Sequence, residues 1–127
     1  MDYLFVYGTL MLRYPENPHR ALLEKHCTAR ISEAWCNGEL YTLKDYPAMI
    51  PGTERVYGEI LQVKHAEELF KILDLYEGFY PEAPGKSHYL RVETEVLTSE
   101  NIPYTCWTYL YNRPVKHLKK LNSGRFF

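Results

Sequence analysis

The sequence predicts an α+β fold in which short strands dominate and two helices are inserted among them. Most of the apolar segments are short and rich in β-branched and aromatic residues, which is typical of strands. Only two segments carry apolar residues at helical spacing, and they do not alternate regularly with the strands. We therefore expect one domain over residues 1–127, with a mixed or antiparallel sheet that could close into a small barrel.

The first predicted strand, at residues 3–7, runs directly into Gly8 and Thr9. Because Gly8 has no Cβ, the backbone can turn sharply there and a ligand can approach it closely. After this turn, the N–H groups of Gly8, Thr9 and Leu10 have no obvious strand partner. Consecutive free N–H groups suit an anion or a developing oxyanion, although an ordinary turn after a strand would give the same pattern.

Turn residues and hydrophobic periodicity divide the rest of the chain into further elements. Asn17 and Pro18 suit the start of a short helix over residues 18–26, and Asn37-Gly38 is a turn signal. Residues 44–52 contain two prolines and are expected to form a loop that covers the core edge or the rim of a pocket. The other expected elements are a strand at 56–63, a helix at 65–77 ended by Gly78, strands at 88–97 and 104–111, and a tail that frays.

Composition and charge argue against several classes of function. The chain has 15 Lys and Arg against 16 Asp and Glu, so it lacks the basic excess expected of a nucleic-acid-binding protein. No apolar run approaches the ~20 residues of a transmembrane helix. The three cysteines form no CxxC pair, which makes a zinc site unexpected. Without a recognisable signal sequence, we expect a cytoplasmic protein with reduced thiols.

Glu77 stands out among the acids because it occupies the last turn of the long predicted helix. A carboxylate there faces the negative end of the helix dipole, which raises its pKa. The neighbouring side chains of Leu75, Tyr76, Phe79 and Tyr80 are apolar or aromatic, and burial among them would raise that pKa further. Such a glutamate could exchange a proton near neutral pH, whereas the alternative is a solvated glutamate at a helix end.

The other polar residues point to less specific roles. We expect Asp74 to be solvated, Glu59 to lie at the edge of the core, and Arg91 to form a structural salt bridge in the sheet. Cys36 has no recognisable partner for a nucleophilic thiol. All five histidines are expected at the surface: His19, His26, His65, His88 and His117.

Five motifs follow one another in an order that is typical of a known family. They are Val6-Tyr7-Gly8-Thr9-Leu10, Tyr46-Pro47-Ala48-Met49, Val56-Tyr57-Gly58-Glu59, Leu73-Asp74-Leu75-Tyr76-Glu77-Gly78, and Tyr89-Leu90-Arg91 with Val96. By this set, the chain from Leu4 to about Gly124 resembles the gamma-glutamylcyclotransferase-like family. It is most similar to the small members that resemble gamma-glutamylamine cyclotransferase.

The resemblance implies a small mixed β-barrel with flanking helices and a cavity at the end of the barrel. It implies that the backbone of Tyr7, Gly8, Thr9 and Leu10 holds the gamma-glutamyl part of a small-molecule substrate, and that Glu77 is the catalytic glutamate. Members of the family release 5-oxoproline from gamma-glutamyl amines or peptides without a metal or cofactor, so neither is expected here. The resemblance leaves the oligomeric state open.

Two other functions stay open at this point. The chain could be a non-catalytic small-molecule or protein-binding domain that keeps the barrel pocket, since folds host many functions. It could also be a hydrolase of amide-like substrates, which would use water and release free glutamate.

The C-terminal tail departs from the family pattern. Family members often read Ser-Gly-Asp-Trp there, whereas this chain reads Ser123-Gly124-Arg125-Phe126-Phe127. If the tail lined the cavity, the choice of substrate would differ from that of the relatives.

Overall fold

The computed structural model describes all residues from 1 to 127, and its strands form one six-stranded sheet with two helices beside it. In chain order the elements are β1 (Asp2–Val6), α1 (Arg20–His26), β2 (Cys27–Leu43), β3 (Tyr46–Val63), α2 (Ala66–Glu77), β4 (Tyr89–Thr98), β5 (Pro103–Tyr111) and β6 (Lys119–Lys120).

The strand order is β3-β1-β5-β4-β2-β6, and β2 also pairs with β3, so five strands close into a barrel. The pair of β1 and β5 is parallel, whereas the other pairs are antiparallel. This confirms the predicted α+β fold with a small mixed β-barrel and flanking helices. None of the helices is both long and apolar enough to span a membrane.

The alternation of side chains along β1 separates two hydrophobic cores. Leu4 and Val6 belong to a cluster that includes buried residues from both helices. Phe5 and Tyr7 belong to a second cluster, which draws its buried residues from the five barrel strands and none from the helices. Since neighbouring residues of a strand face opposite sides, β1 contacts the helices with one face and fills the barrel with the other.

Two sequence predictions for the segment that forms the β2–β3 hairpin are wrong. Asn37-Gly38 forms no turn, because both residues pair with β3 and the ladder shifts register directly after Gly38. Residues 44–52 are not a loop, because the chain reverses at 44–45 and β3 then begins at Tyr46. Pro47 is tolerated because β1 pairs only with residues 59–63 of β3, which leaves one edge of its first half without a neighbouring strand.

The tail and one histidine were also predicted wrongly. The tail is bound to the barrel, because β6 pairs with β2 and the carbonyl of Gly124 accepts the N–H of Tyr57 at 2.9 Å. His26 is only 2% exposed, and its Nδ1 lies 2.8 Å from the carbonyl of Lys64. The residue that follows β3 contacts it from a distant part of the chain, because the N–H of Lys64 also donates to the carbonyl of His26 at 2.9 Å, and sequence alone gives no sign of this contact.

Candidate active site

A cavity of about 410 Å³ lies where the end of β1 meets the end of α2. Its size falls within the range typical of small-molecule sites. The turn that follows β1 forms part of its wall, and Glu77 and Gly78 at the end of α2 form another part. The 18 lining residues are Phe5, Val6, Tyr7, Gly8, Thr9, Leu10, Leu43, Tyr46, Pro47, Leu75, Tyr76, Glu77, Gly78, Tyr80, His88, Tyr89, Tyr109 and Tyr111.

The turn after β1 carries backbone donors that the protein itself does not use. The N–H of Met11 donates to the carbonyl of Gly8 at 3.0 Å, which closes the turn, but the N–H groups of Gly8, Thr9 and Leu10 donate to no other part of the chain. All three residues are buried. Because buried N–H groups are nearly always paired, three free ones beside a cavity are suited to a ligand that accepts hydrogen bonds.

Gly8 is required here for a different reason from the one expected. Its φ angle is not positive, so the turn itself does not demand glycine. A Cβ at this position would lie 2.1 Å from Cγ of Pro47. The turn and the start of β3 therefore approach each other so closely that no side chain fits between them.

A fully buried glutamate fixes the segment that follows the turn. Glu59 on β3 is not exposed at all, and its carboxylate accepts the N–H of Leu12 at 2.7 Å and that of Arg13 at 3.3 Å. The side chains of Arg13 and Arg30 each approach the same carboxylate at 3.9 Å. Glu59 is thus buried rather than at the core edge, and it holds the loop that leaves the cavity wall.

Glu77 is the last residue of α2, and glycine after it sets its position. Gly78 adopts a left-handed conformation, with φ of 68°. The N–H of Gly78 donates to the carbonyl of Leu75, and that of Phe79 donates to the carbonyl of Asp74. This pair of bonds ends the helix abruptly, which leaves the Glu77 side chain at the cavity.

The Glu77 carboxyl is placed to hold a proton. It takes part in none of the ion pairs of the structure. Burial raises its pKa to about 8, and the nearby carboxylate of Asp74 adds to the shift. Burial, followed by the charge of Glu77, also raises the pKa of the Tyr7 and Tyr89 hydroxyls, so both phenols stay protonated beside it.

Asp74 is paired rather than solvated, which corrects the sequence prediction. Its carboxylate accepts Nε of Arg91 at 2.9 Å and the hydroxyl of Tyr109 at 2.7 Å. Arg91 therefore forms a salt bridge, as expected, but with the helix instead of within the sheet. The Tyr7 hydroxyl donates to the carbonyl of Tyr109, so the network connects α2, β4 and β5 to the residue before Gly8.

Seven of the twelve tyrosines line the cavity. Tyr7 was expected at the site from the sequence, whereas Tyr89 and Tyr109 were not. A count of twelve tyrosines suits a pocket or an interface, although a tyrosine-rich β-sheet is equally consistent with it. The count does not tell which rings converge, because Tyr89 and Tyr109 lie on β4 and β5, whose pairing is not visible in local sequence.

The structure brings together all the residues to which sequence analysis gave a site role. Tyr7, Gly8, Thr9, Leu10 and Glu77 line one cavity. The tail does not line it. In the tail, Arg125 pairs with Glu33 at 2.8 Å. Nowhere in the chain do three or more His, Cys, Asp or Glu side chains form a group that could hold a metal ion.

Comparisons with a family model and with a curated protein lead to the same family. The family described as "Gamma-glutamyl cyclotransferase, AIG2-like" matches residues 4–127. The gamma-glutamylcyclotransferase family protein YtfP of Escherichia coli K12 is 29% identical over 122 residues, which cover 95% of this chain and 92% of YtfP.

Two crystal structures share the fold. The mouse AIG2-like protein superposes with a TM-score of 0.67 at 23% identity, over 96% of this chain and 86% of the mouse chain. YkqA from Bacillus subtilis superposes with a TM-score of 0.69 at 24% identity over 98% of this chain, which spans only 39% of YkqA.

Proposed function

Since the chain belongs to the gamma-glutamyl cyclotransferase, AIG2-like family, we propose that it releases 5-oxoproline from gamma-glutamyl amines or peptides, with Glu77 as general acid and base. The reaction is intramolecular, because such a substrate carries its own nucleophile, the α-amine, on the same chain as its γ-carbonyl. The observation that carries the proposal is that Glu77 and the free N–H groups of the Gly8 turn line the same cavity.

In the proposed reaction, the α-amine nitrogen attacks the γ-carbonyl carbon and a five-membered lactam forms. The Glu77 carboxylate takes the proton that the attacking amine loses. The bond between the carbonyl carbon and the leaving nitrogen then breaks, and Glu77 returns the proton to that nitrogen. The products are 5-oxoproline and a free amine, and no water is consumed.

The pKa of Glu77 suits both halves of this cycle. General acid–base catalysis works best when the pKa of the group lies near the working pH, and burial raises that of Glu77 to about 8. An α-amino group has an ordinary pKa of about 8, so proton transfer between the two groups is nearly balanced. The same carboxyl can therefore accept the proton and give it back.

The turn would supply binding and charge stabilisation. The N–H groups of Gly8, Thr9 and Leu10 would donate to the substrate α-carboxylate or to the oxyanion that forms at the γ-carbonyl. A single donor to an oxyanion is worth about 3 kcal/mol. Holding the amine and the carbonyl in attack geometry could supply roughly 7 kcal/mol or more.

The proposal is tested by replacing Glu77 with Gln and measuring the release of 5-oxoproline from gamma-glutamyl amides. We expect the rate to fall by about a hundredfold to ten-thousandfold while the circular dichroism spectrum is unchanged. The matched control is Glu68→Gln, an exposed carboxylate in the first turn of the same helix, which should keep full activity. Equal turnover by the Glu77→Gln variant would reject the role of Glu77.

Product analysis separates the proposal from the other two functions. Free glutamate in place of 5-oxoproline would indicate a hydrolase. Saturable binding of 5-oxoproline without turnover of any gamma-glutamyl amide would indicate a non-catalytic binding domain.

A further inference from the structure

The cavity has a buried end and an exposed mouth, and the two differ in what they offer a ligand. At the buried end, Tyr7 and Leu10 are 5% and 6% exposed. At the mouth, Tyr46, Leu75 and Tyr80 are 50%, 73% and 39% exposed. A substrate held by the turn would therefore have its gamma-glutamyl part enclosed, and whatever is attached to that part would extend toward these three side chains.

The exposed apolar side chains are concentrated at this mouth. Seven large hydrophobic side chains are exposed in the protein, and two of them, Met1 and Phe127, are the chain ends. Three of the remaining five are Tyr46, Leu75 and Tyr80, which line the cavity. Single exposed apolar residues need no explanation, but a group of them around a cavity indicates a ligand-binding surface.

The lining offers no strong partner for an anion outside the turn. It contains no Lys or Arg, and apart from tyrosines its titratable side chains are Glu77 and the exposed His88. Arg91, which does not line the cavity, is already paired with Asp74 at 2.9 Å. A carboxylate on the leaving amine would meet apolar side chains at the mouth, and the lining would give it no lysine or arginine to pair with.

We propose that the leaving amine of the substrate is neutral and apolar, either aliphatic or aromatic, and that Tyr46, Leu75 and Tyr80 contact it. This inference rests on the proposed function, because it assigns the part of the substrate that the cyclisation releases. It excludes amino acids and peptides with a free carboxylate next to the released nitrogen as preferred leaving groups. Two separate observations support this preference. The exposed apolar side chains at the mouth favour an apolar leaving group, and the absence of Lys and Arg from the lining disfavours a carboxylate.

The test uses substrates that differ only in the leaving group, assayed at about pH 8.5, above the ordinary titration range of histidine. Gamma-glutamyl-phenethylamide and gamma-glutamyl-phenylalanine differ by one carboxylate, and gamma-glutamyl-methylamide lacks the ring. We expect kcat/KM for the phenethylamide to exceed that for either of the others by about tenfold or more, because discrimination by even one methylene in an apolar pocket reaches about that size.

Two substitutions test whether the side chain of Leu75 causes the preference for an apolar leaving group. Leu75→Ser should raise KM for the phenethylamide by about threefold to tenfold, and it should raise KM for the methylamide by clearly less, because the methylamide has no ring to contact this side chain. The matched control is Ile72→Ser, since Ile72 is exposed on the same helix but does not line the cavity. This control should leave both substrates unaffected.

Binding is measured separately with amides of glutaric acid, which lack the α-amine and therefore cannot cyclise. Titration calorimetry should show tighter binding of the glutaric mono-phenethylamide than of N-glutaryl-phenylalanine. If 5-oxoproline forms at equal rates from all three substrates, or if Leu75→Ser changes them equally, the inference is wrong while the proposed function stands. If nothing is cyclised but the binding preference remains, the proposed function fails and the apolar subsite is retained.

Discussion

Replacing Glu77 with Gln should stabilise the protein, and the gain should grow as the pH rises from about 5 to about 9. Burial, with a contribution from Asp74, raises the pKa of the Glu77 carboxyl from 4.5 to about 8 in the folded protein. Between these values the folded protein retains a proton that the unfolded chain has released. The free energy of unfolding therefore falls as the pH rises, and a neutral glutamine removes this effect.

The size of the gain follows from the two pKa values. Each pKa unit corresponds to about 1.4 kcal/mol, so the shift from 4.5 to about 8 sets an upper limit of about 5 kcal/mol above pH 8. Below the unfolded pKa both states are protonated and the gain vanishes. Because the cavity opens to solvent at its mouth, we expect a measured gain of about 2 to 5 kcal/mol near pH 9.

The assay is denaturation by urea of the native protein and the Glu77→Gln variant at about pH 5, 7 and 9. Subtracting the two unfolding free energies at each pH removes the other titrating groups, which are the same in both proteins. Glu68→Gln serves as the control and should differ by less than about 1 kcal/mol at every pH. A gain from Glu77→Gln that is equal at all three pH values, within about 0.5 kcal/mol, would refute a raised pKa for Glu77.

Two further substitutions test how the cavity wall is held. Gly8→Ala should cost about 1 to 3 kcal/mol and displace the turn, because its Cβ would lie 2.1 Å from Pro47; denaturation and 5-oxoproline release measure the two effects. Asp74→Asn should cost about 2 to 4 kcal/mol, because it leaves Arg91 without its carboxylate partner and weakens the acceptor of the Tyr109 hydroxyl.

The Gly8→Ala and Asp74→Asn substitutions each have a matched control in the same chain. Gly85→Ala introduces a Cβ with nothing within 4 Å, and Asp45→Asn changes an exposed carboxylate. Both controls should be nearly neutral. If Gly8→Ala is as harmless as Gly85→Ala, the turn is not held against Pro47 as described. If Asp74→Asn costs no more than Asp45→Asn, the Arg91 pair does not stabilise the fold.

Local sequence signals predicted the elements that border the cavity. A few neighbouring residues predict a strand that ends shortly before Gly8, and a few others predict a helix that ends at Glu77. The structure has both, with β1 ending at Val6 and α2 at Glu77. That the two ends meet at one cavity was implied by the family resemblance and not by any local pattern. It depends on tertiary structure: β3 ends beside the start of β1, and α2, which follows β3, shares a hydrophobic core with Leu4 and Val6 of β1.

Features that depend on pairing across the sheet were not predictable from local patterns. Pro47 and Pro51 read as a loop, but β2 pairs with residues 46–50 before Pro51 and with residues 54–58 after it, which holds the segment as a strand. Asp74 read as a solvated helix residue, because its partners Arg91 and Tyr109 lie 17 and 35 positions away in the sequence. Burial of this kind is set by tertiary contacts, which override local tendencies.

The parallel pairing of the first strand with β5 has a kinetic consequence. Leu4 pairs with Trp107, and the hydroxyl of Thr108 donates to the carbonyl of Phe5 at 2.9 Å, so nearly the whole chain separates these partners. We expect the β2–β3 hairpin to form early, because its two strands are adjacent in sequence, whereas the pairing of β1 with β5 must overcome the entropy of closing a long loop. We expect the pairing of β1 with β5, and with it the position of the Gly8 turn in the cavity wall, to be completed late in refolding.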